Sequence, residues 1–264
     1  VLALLFLPLL TPYSALLRRL LPARIVENDP ARPLYLDPSA QEVPAIALGA
    51  AARESLRLAD MLEIMLQGLR DVFEKADRRQ ITRMRRLDDV LDKLNTAIKA
   101  YLTTLDPEAL DDADHRRVSE ILAFAMHMEQ AGDIVDRNLL ALAARKLKRG
   151  LAFSTEGQAD LLAMIDRLTA NLRAAASLFM TQDERAARLL AAEKESFRSL
   201  EAAAVAAHFA RLRAGRVDTT ETSSLHLDAV RQLTQINTLL VAAAAYPVLE
   251  SKGELLPSRL RQSD

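Results

Sequence analysis

Three carboxylates on one predicted helix have the residue type and spacing that best suit chemistry. Glu129, Asp133 and Asp136 occupy positions i, i+4 and i+7, which places them along one face of an α-helix. Carboxylates this close repel one another unless cations compensate, and oxygen-rich clusters suit hard or borderline metal ions. Gly132 lies among them and costs a helix interior about 1 kcal/mol relative to alanine. We therefore expect a backbone or a ligand to approach closely there.

A solvated acidic face fits the same pattern. Arg137 follows Asp133 by four residues and can pair with it on the helix surface. The histidines do not join the carboxylates, because none forms the Glu-x-x-His pair of di-iron bundles, and His127 lies about 200° around the helix from Glu129. We expect all four histidines at the surface or the rim, and they are His115, His127, His208 and His226.

Five arginines open the predicted second helix: Arg78, Arg79, Arg83, Arg85 and Arg86. Two interpretations fit this stretch. It is either a solvated face whose charges are answered by Asp88, Asp89 and Asp92, or a contact for phosphate or anionic lipid. The first is favoured because charged helix faces are usually solvated.

The composition excludes several classes of function. Acidic residues number 36 and Lys plus Arg 35, for a net charge of -1, so the basic footprint of a nucleic-acid-binding protein is missing. The chain has no Cys, which removes disulfides, thiolate metal sites and Cys nucleophiles. It also contains no Gly-rich phosphate loop, no G-x-S-x-G and no H-E-x-x-H. These absences remove several classes of catalytic site, and the prediction that the chain is not an enzyme comes with the regulatory role implied by the resemblance given below.

The first residues differ in character from the rest. Residues 1–10 are apolar apart from Pro8, and Arg18, Arg19 and Arg24 follow them. The apolar run is shorter than the roughly 20 residues of a membrane-spanning helix, and it has no positive n-region of a signal peptide. We interpret residues 1–21 as the end of a membrane segment, with everything after it cytoplasmic by the positive-inside rule. A buried apolar arm of a soluble protein is the alternative.

Beyond residue 21 the sequence predicts a linker and six long helices. Residues 22–44 contain five prolines, which indicates an extended linker. The residues that follow are rich in good helix formers, with breaks at Asp106-Pro107, Gly150 and Gly215. Three helices fall in residues 45–150 and three in 151–253, ahead of a tail at 254–264. We predict an all-α fold of two consecutive three-helix bundles that arose by duplication.

Four segments resemble one family. The E-x-x-G-D-x-x-D pattern of Glu129 to Asp136 is similar to the E(D)xxxD motif of PhoU proteins, which are phosphate-signalling regulators built from two three-helix repeats. Glu54, Arg57 and Asp60 resemble the opening of PhoU domains fused to sodium/phosphate cotransporters. Residues 34–37 with 44–48 look like the join to the transport part in that family. Residues 227–237 with 245–249 are similar to the family's ending.

The resemblance implies a membrane context and a regulatory role. It implies that the chain is the cytoplasmic PhoU-like domain of an inner-membrane, sodium-dependent phosphate symporter. The partners would be the protein's own transmembrane phosphate transport domain and a signalling protein, and a homodimer fits as well. Iron or zinc would bind at Glu129, Asp133 and Asp136. The second site would be lost, because residues 234–238 read Thr, Gln, Ile, Asn and Thr where its acidic motif should fall.

Two other functions stay open on the residues alone. One is a metal-dependent enzyme or metal store built on the acidic cluster, which needs several ligands and an open coordination position. The other is a scaffold that dimerises through the heptad pattern of the second helix.

Overall fold

The computed structural model describes residues 29–75 and 77–254, and within these ranges all regular elements are helical. The α-helices of this part are α1 (Pro44–Lys75), α2 (Arg78–Thr103), α3 (Asp112–Asp133), α4 (Ala141–Lys148), α5 (Thr155–Thr181), α6 (Glu184–Arg213) and α7 (Val217–Ser251). A π-helical segment, Ile134–Leu140, joins α3 to α4, so these three pieces form the third of six long rods. Short 3-10 helices cover Pro38–Glu42 and Pro107–Ala109.

The described helices all lie in one of two compact units of the chain. By its contacts the chain divides into Val1–Arg32 and Pro33–Asp264, and all of the helices above lie in the second unit. The predicted membrane segment at 1–21 and the tail after Glu254 lie outside the described residues. Among the helices that are described, none has the length and apolar character needed to cross a bilayer.

The helices begin and end at residues with local capping chemistry. Ser154 accepts a hydrogen bond from the Gly157 backbone and caps α5. Asp111 and Asp114 form a capping box at the start of α3. Gly150 and Gly215 follow the ends of α4 and α6 with φ of 66° and 73°, the left-handed conformation that favours glycine.

The rods pack as two trios. The first trio consists of α1, α2 and the α3–α4 rod, and the second consists of α5, α6 and α7. The trios meet where α1 packs on α5 and where α3 packs on α7. Phe124 of α3 stacks on Phe179 of α5 with ring centroids 4.0 Å apart, and both side chains are fully buried. The predicted fold class, all-α with two three-helix bundles, is confirmed.

The third rod, the last of the three helices predicted within residues 45–150, is not one continuous α-helix. Ile134 and Val135 are buried, and so are Leu139 and Leu140, five residues later. In an α-helix a separation of five residues turns side chains to different faces, whereas the i to i+5 bonding of a π-helix returns them to the same face. The π segment therefore buries both pairs against the core.

The linker also differs from the prediction of an extended chain. Asp37 caps the 3-10 helix Pro38–Glu42 by accepting a hydrogen bond from the Ser39 backbone. Pro44 is the first residue of α1, a position where its missing N–H costs nothing. The described part of the predicted linker is thus partly helical.

Candidate functional site

Helices α2 and α3 bring acidic side chains together on one side of the first trio. Asp92, Glu129 and Asp133 each place one carboxylate oxygen within 4.8 Å of the other two, and all three side chains are half-buried. Among the described residues this is the one group of three or more acidic or histidine side chains close enough to share an ion. Glu129 and Asp133 were predicted from the sequence to belong together, and Asp92 was not.

The predicted Asp136 lies in the π segment and faces a different neighbour. Its Oδ1 lies 3.4 Å from Arg85 Nε, across from α2. Arg137 pairs with Asp133 at 2.9 Å, as the spacing predicted. Asp133 Oδ1 and Asp136 Oδ1 each lie close to a guanidinium group, but neither forms a hydrogen bond of good geometry. These arginines are more than half exposed, so the two ion pairs contribute little to stability.

Asp88 of α2 is buried beside this group and was missed by the sequence analysis. Its side chain is 8% exposed, and Oδ1 has no hydrogen-bond partner. Burial raises the pKa of Asp88 to about 7, and the charges of Asp136, Asp133 and Asp92 act in the same direction. An unpartnered buried carboxyl group is costly, so this position calls for a proton or a cation.

Glu129 and Asp133 have pKa values that are perturbed in the same direction. Burial first, and Asp133 second, raise the pKa of Glu129. Burial also raises the pKa of Asp133, although Arg137 opposes it. Together Asp88, Asp92, Glu129, Asp133 and Asp136 form what we call the acidic cluster. In the folded protein these groups favour a bound proton or cation.

Gly132 allows α2 to approach α3 at the acidic cluster. A Cβ atom at this position would lie 2.5 Å from Leu91 Cδ1 and 3.3 Å from Asp88 Oδ1. The expected close approach therefore exists, but side chains of α2 make it, not a backbone or a ligand. Any larger residue would push Leu91 and Asp88 away from α3.

The sequence held a signal for the missing members of the cluster. Asp88 and Asp92 are spaced i and i+4 on α2, like Glu129 and Asp133 on α3. They were interpreted as counter-charges for the arginine stretch, which is wrong. None of Asp88, Asp89 and Asp92 forms an ion pair in the described part of the chain, and Arg85 pairs with Asp136. The five arginines are exposed, as a solvated face requires.

The three residues that resemble the PhoU-domain opening lie on α1: Glu54, Arg57 and Asp60. Glu54 is fully buried, is ion-paired with Arg57, and accepts hydrogen bonds from the backbone N–H groups of Leu34 and Tyr35, each at 2.8 Å. Asp60 is exposed, and the charge of Arg57 acts on it.

The corresponding region of the second trio contains amides in place of carboxylates. Asn237 of α7 is buried, and its Oδ1 accepts a hydrogen bond of 2.8 Å from Asn171 Nδ2 of α5. Its own Nδ2 lies 3.4 Å from the Glu193 carbonyl oxygen. This neutral pair satisfies its own hydrogen bonds, so it has no electrostatic need for a cation.

Two histidines contradict the prediction that all four lie at the surface or rim. His208 and His226 are buried, and their rings stack with centroids 4.9 Å apart. His226 Nε2 lies 3.2 Å from the Gly157 carbonyl, which fixes the proton on that nitrogen, and Nδ1 has no partner. Burial lowers the pKa of His226 to about 4. His115 is exposed and His127 half-buried, as predicted.

Comparison with known proteins identifies the class of domain. Residues 56–137, which contain the whole acidic cluster, match the PhoU domain family. The crystal structure of PhoU from Pseudomonas aeruginosa has the same fold, with a TM-score of 0.69 at 16% sequence identity over 78% of this chain and 97% of that one. The chain therefore carries a PhoU-like domain.

Its curated relatives are longer proteins. YjbB of Escherichia coli K12, a candidate inorganic phosphate export protein, is 40% identical over 223 residues, or 84% of this chain and 41% of YjbB. YjbB of Salmonella typhimurium is 37% identical over 250 residues, or 93% of this chain and 46% of that protein. The chain thus spans less than half the length of these relatives.

Proposed function

We propose that this chain is the regulatory, non-catalytic PhoU-like domain of a sodium/phosphate cotransporter-type membrane protein. It modulates phosphate transport or phosphate signalling through protein–protein contacts. The observation that carries the proposal is the 40% identity to YjbB over 84% of this chain, which corresponds to only 41% of YjbB. A domain of this size, joined to a transport part in one chain, is suited to control that part.

The proposal extends to partners and location. The main partner would be the protein's own transmembrane phosphate transport domain, and a signalling protein or a second copy would be further partners. We place the protein in the inner membrane with residues 45–254 in the cytoplasm. The apolar residues 1–10 followed by Arg18, Arg19 and Arg24 support this orientation.

Deletion of residues 45–264 from the full-length protein tests the regulatory role. Phosphate flux is measured in cells grown at low and at high phosphate, with the amount of membrane protein determined in parallel. We expect phosphate flux to persist and its response to phosphate supply to be altered. Unchanged flux together with an unchanged response would refute the proposal. A full-length protein carrying the exposed substitution Asp89→Asn serves as the control.

We propose metal binding by the acidic cluster as a second function. The specific observation is Asp88, a buried carboxyl whose Oδ1 has no partner and which lies among Asp92, Asp133 and Asp136. A cation would offset the burial, and the repulsion by the neighbouring carboxylates, that raise the pKa of this group. The donors are all oxygens, which suits hard cations and is unusual for zinc, whose sites usually include sulfur or nitrogen.

Elemental analysis of the purified chain tests this second function. We expect iron, or zinc, in the wild-type protein and its loss in Asp133→Ala. Asp133 lies close to Asp92 and Glu129, and its charge also acts on Asp88. Asp89→Asn, an exposed substitution on the neighbouring helix α2, should retain the metal. Absence of metal from wild-type protein, even after incubation with Fe²⁺ under anaerobic conditions, would remove the proposal.

A further inference from the structure

The segment just before α1 is held on the bundle by a buried carboxylate. We call residues 34–42 the strap. Glu54 Oε2 accepts hydrogen bonds from two consecutive strap N–H groups, those of Leu34 and Tyr35, each at 2.8 Å. Its other oxygen, Oε1, is ion-paired with Arg57. The buried carboxylate thus holds the first residues of the strap by their backbone, whatever their side chains.

Two further polar contacts hold the other part of the strap to α2. The Tyr101 hydroxyl donates to the Asp37 carbonyl at 3.0 Å. Gln41 Nε2 donates to Thr104 Oγ1 at 2.6 Å. The strap therefore crosses from α1 to the end of α2 on three polar anchors.

Hydrophobic burial in this attachment is limited to Leu36, which is half-buried, among the large apolar residues of the strap. Leu34 is 64% exposed and Tyr35 is 43% exposed, although both are large apolar residues. Segments with few buried apolar contacts open at a lower free energy than the core to which they attach. The strap can therefore leave the bundle without opening the core of α1, which contains Leu58, Leu62 and Met65.

The burial of Glu54 depends on the strap being in place. A carboxylate without water is tolerated only when it is paired and hydrogen-bonded, and hydrogen bonds to a charged acceptor are stronger than neutral ones. When the strap leaves, Glu54 loses both backbone donors and keeps its pair with Arg57. The carboxylate is then stable only if water reaches it or if the strap closes again. The attachment therefore has two states, closed and open.

We propose that Glu54 is a latch that couples the strap to the bundle. With the latch closed, a displacement of the strap is transmitted to α1. With the latch open, the strap moves independently of the helices. The regulatory consequence of the latch rests on the proposed function, because it requires that a transport part be controlled through this connection. The latch itself is a property of the described residues and can be measured without transport.

Hydrogen exchange of the complete 264-residue chain tests the latch. In Glu54→Gln the amides of Leu34 and Tyr35 should exchange at least about tenfold faster, because the acceptor charge is lost. The amides of residues 58–73 should keep their protection. The control is Glu63→Gln on the same helix, which removes a surface pair with Arg173 and should leave the strap unchanged. Equal exchange at Leu34 and Tyr35 in wild type and Glu54→Gln would overturn the latch.

A second variant keeps the test decisive if Glu54→Gln fails to fold. Tyr101→Phe removes only the hydroxyl group that anchors Asp37. If the strap opens as one unit, exchange at Leu34 and Tyr35 should still accelerate, although the substituted contact lies several residues away. Acceleration confined to residues next to Asp37, or none, would contradict a strap that opens as a unit.

A transport measurement separates this inference from the proposed function. In the full-length protein, Glu54→Gln should abolish the response of phosphate flux to phosphate supply, and Glu63→Gln should retain it. If exchange accelerates but the response stays normal, the coupling role of the latch is refuted. If deletion of residues 45–264 also leaves the response normal, the proposed function fails as well.

Discussion

Asp88→Asn in the metal-free protein should raise the free energy of unfolding at alkaline pH. The Asp88 carboxyl is 8% exposed, its Oδ1 has no hydrogen-bond partner, and three other carboxylates lie nearby. Its ionisation in the folded state is therefore unfavourable, and asparagine removes the charge while keeping the shape. Wild-type protein should be the less stable of the two wherever the folded state is forced to ionise this group.

The magnitude follows from the pKa of Asp88 in the two states. The pKa is about 7 in the folded protein and 3.8 in the unfolded chain. Below about pH 3 the group is protonated in both states and costs nothing. Between about pH 4 and pH 7 the unfolded chain releases the proton while the folded chain retains it, so stability falls as the pH rises. A pKa difference of about three, which already includes the opposing charge of Arg137, corresponds to about 4 kcal/mol. Partial solvation reduces this to roughly 2–4 kcal/mol.

Urea denaturation from pH 4.5 to pH 8.5 with a chelator measures this difference. The free energies of unfolding of wild type and Asp88→Asn should differ least at pH 4.5 and diverge above it, with the variant more stable. Asp89→Asn, exposed on the neighbouring position, should follow the wild type. Parallel curves for wild type and Asp88→Asn over the whole range would refute the argument. Added Fe²⁺ should stabilise the wild type and not Asp88→Asn.

Two further predictions concern the buried histidine and the close helix approach. Acidification from pH 6.5 to pH 4 should remove about 3 kcal/mol of stability through His226, whose folded pKa of about 4 lies below its ordinary value, so that the unfolded chain takes up the proton first. His226→Leu should lose this part of the pH dependence in urea denaturation and His115→Gln should keep it; equal pH dependence in both would contradict the assignment. Gly132→Ala should destabilise the chain by about 1–3 kcal/mol because its Cβ would meet Leu91. Gly49→Ala should stabilise α1 by about 0.5–1 kcal/mol, because the added Cβ would meet nothing within 4 Å. Thermal unfolding measures both variants, and a higher stability of Gly132→Ala than of Gly49→Ala would contradict a close approach of α2 to α3.

The helix ends could be predicted because their chemistry is local. Ser154 caps α5 with its own hydroxyl group, and Gly150 and Gly215 adopt the left-handed conformation that ends a helix. Each of these features depends on a few neighbouring residues. The π segment at Ile134–Leu140 was not predicted, because it depends on which buried pairs must face the core.

Only part of the candidate site could be predicted from the sequence. Glu129 and Asp133 share a helix face, so their spacing alone placed them together. Asp88 and Asp92 belong to another helix, and only the approach of α2 to α3 at Gly132 brings them into the cluster. Asp136 was predicted for the same stripe, and the structure pairs it with Arg85 of α2.

The amino-acid sequence by itself determined the helical fold class, the helix boundaries and the acidic pair on α3. These features follow from intrinsic propensity, capping and periodicity, which act over a few residues. The tertiary structure decided which polar groups lose water: Asp88 beside the other carboxylates, His226 on His208, and Glu54 under the strap. Burial is a property of how distant helix faces meet, and the properties that burial perturbs, charge and hydrogen bonding, are those on which the proposed functions depend.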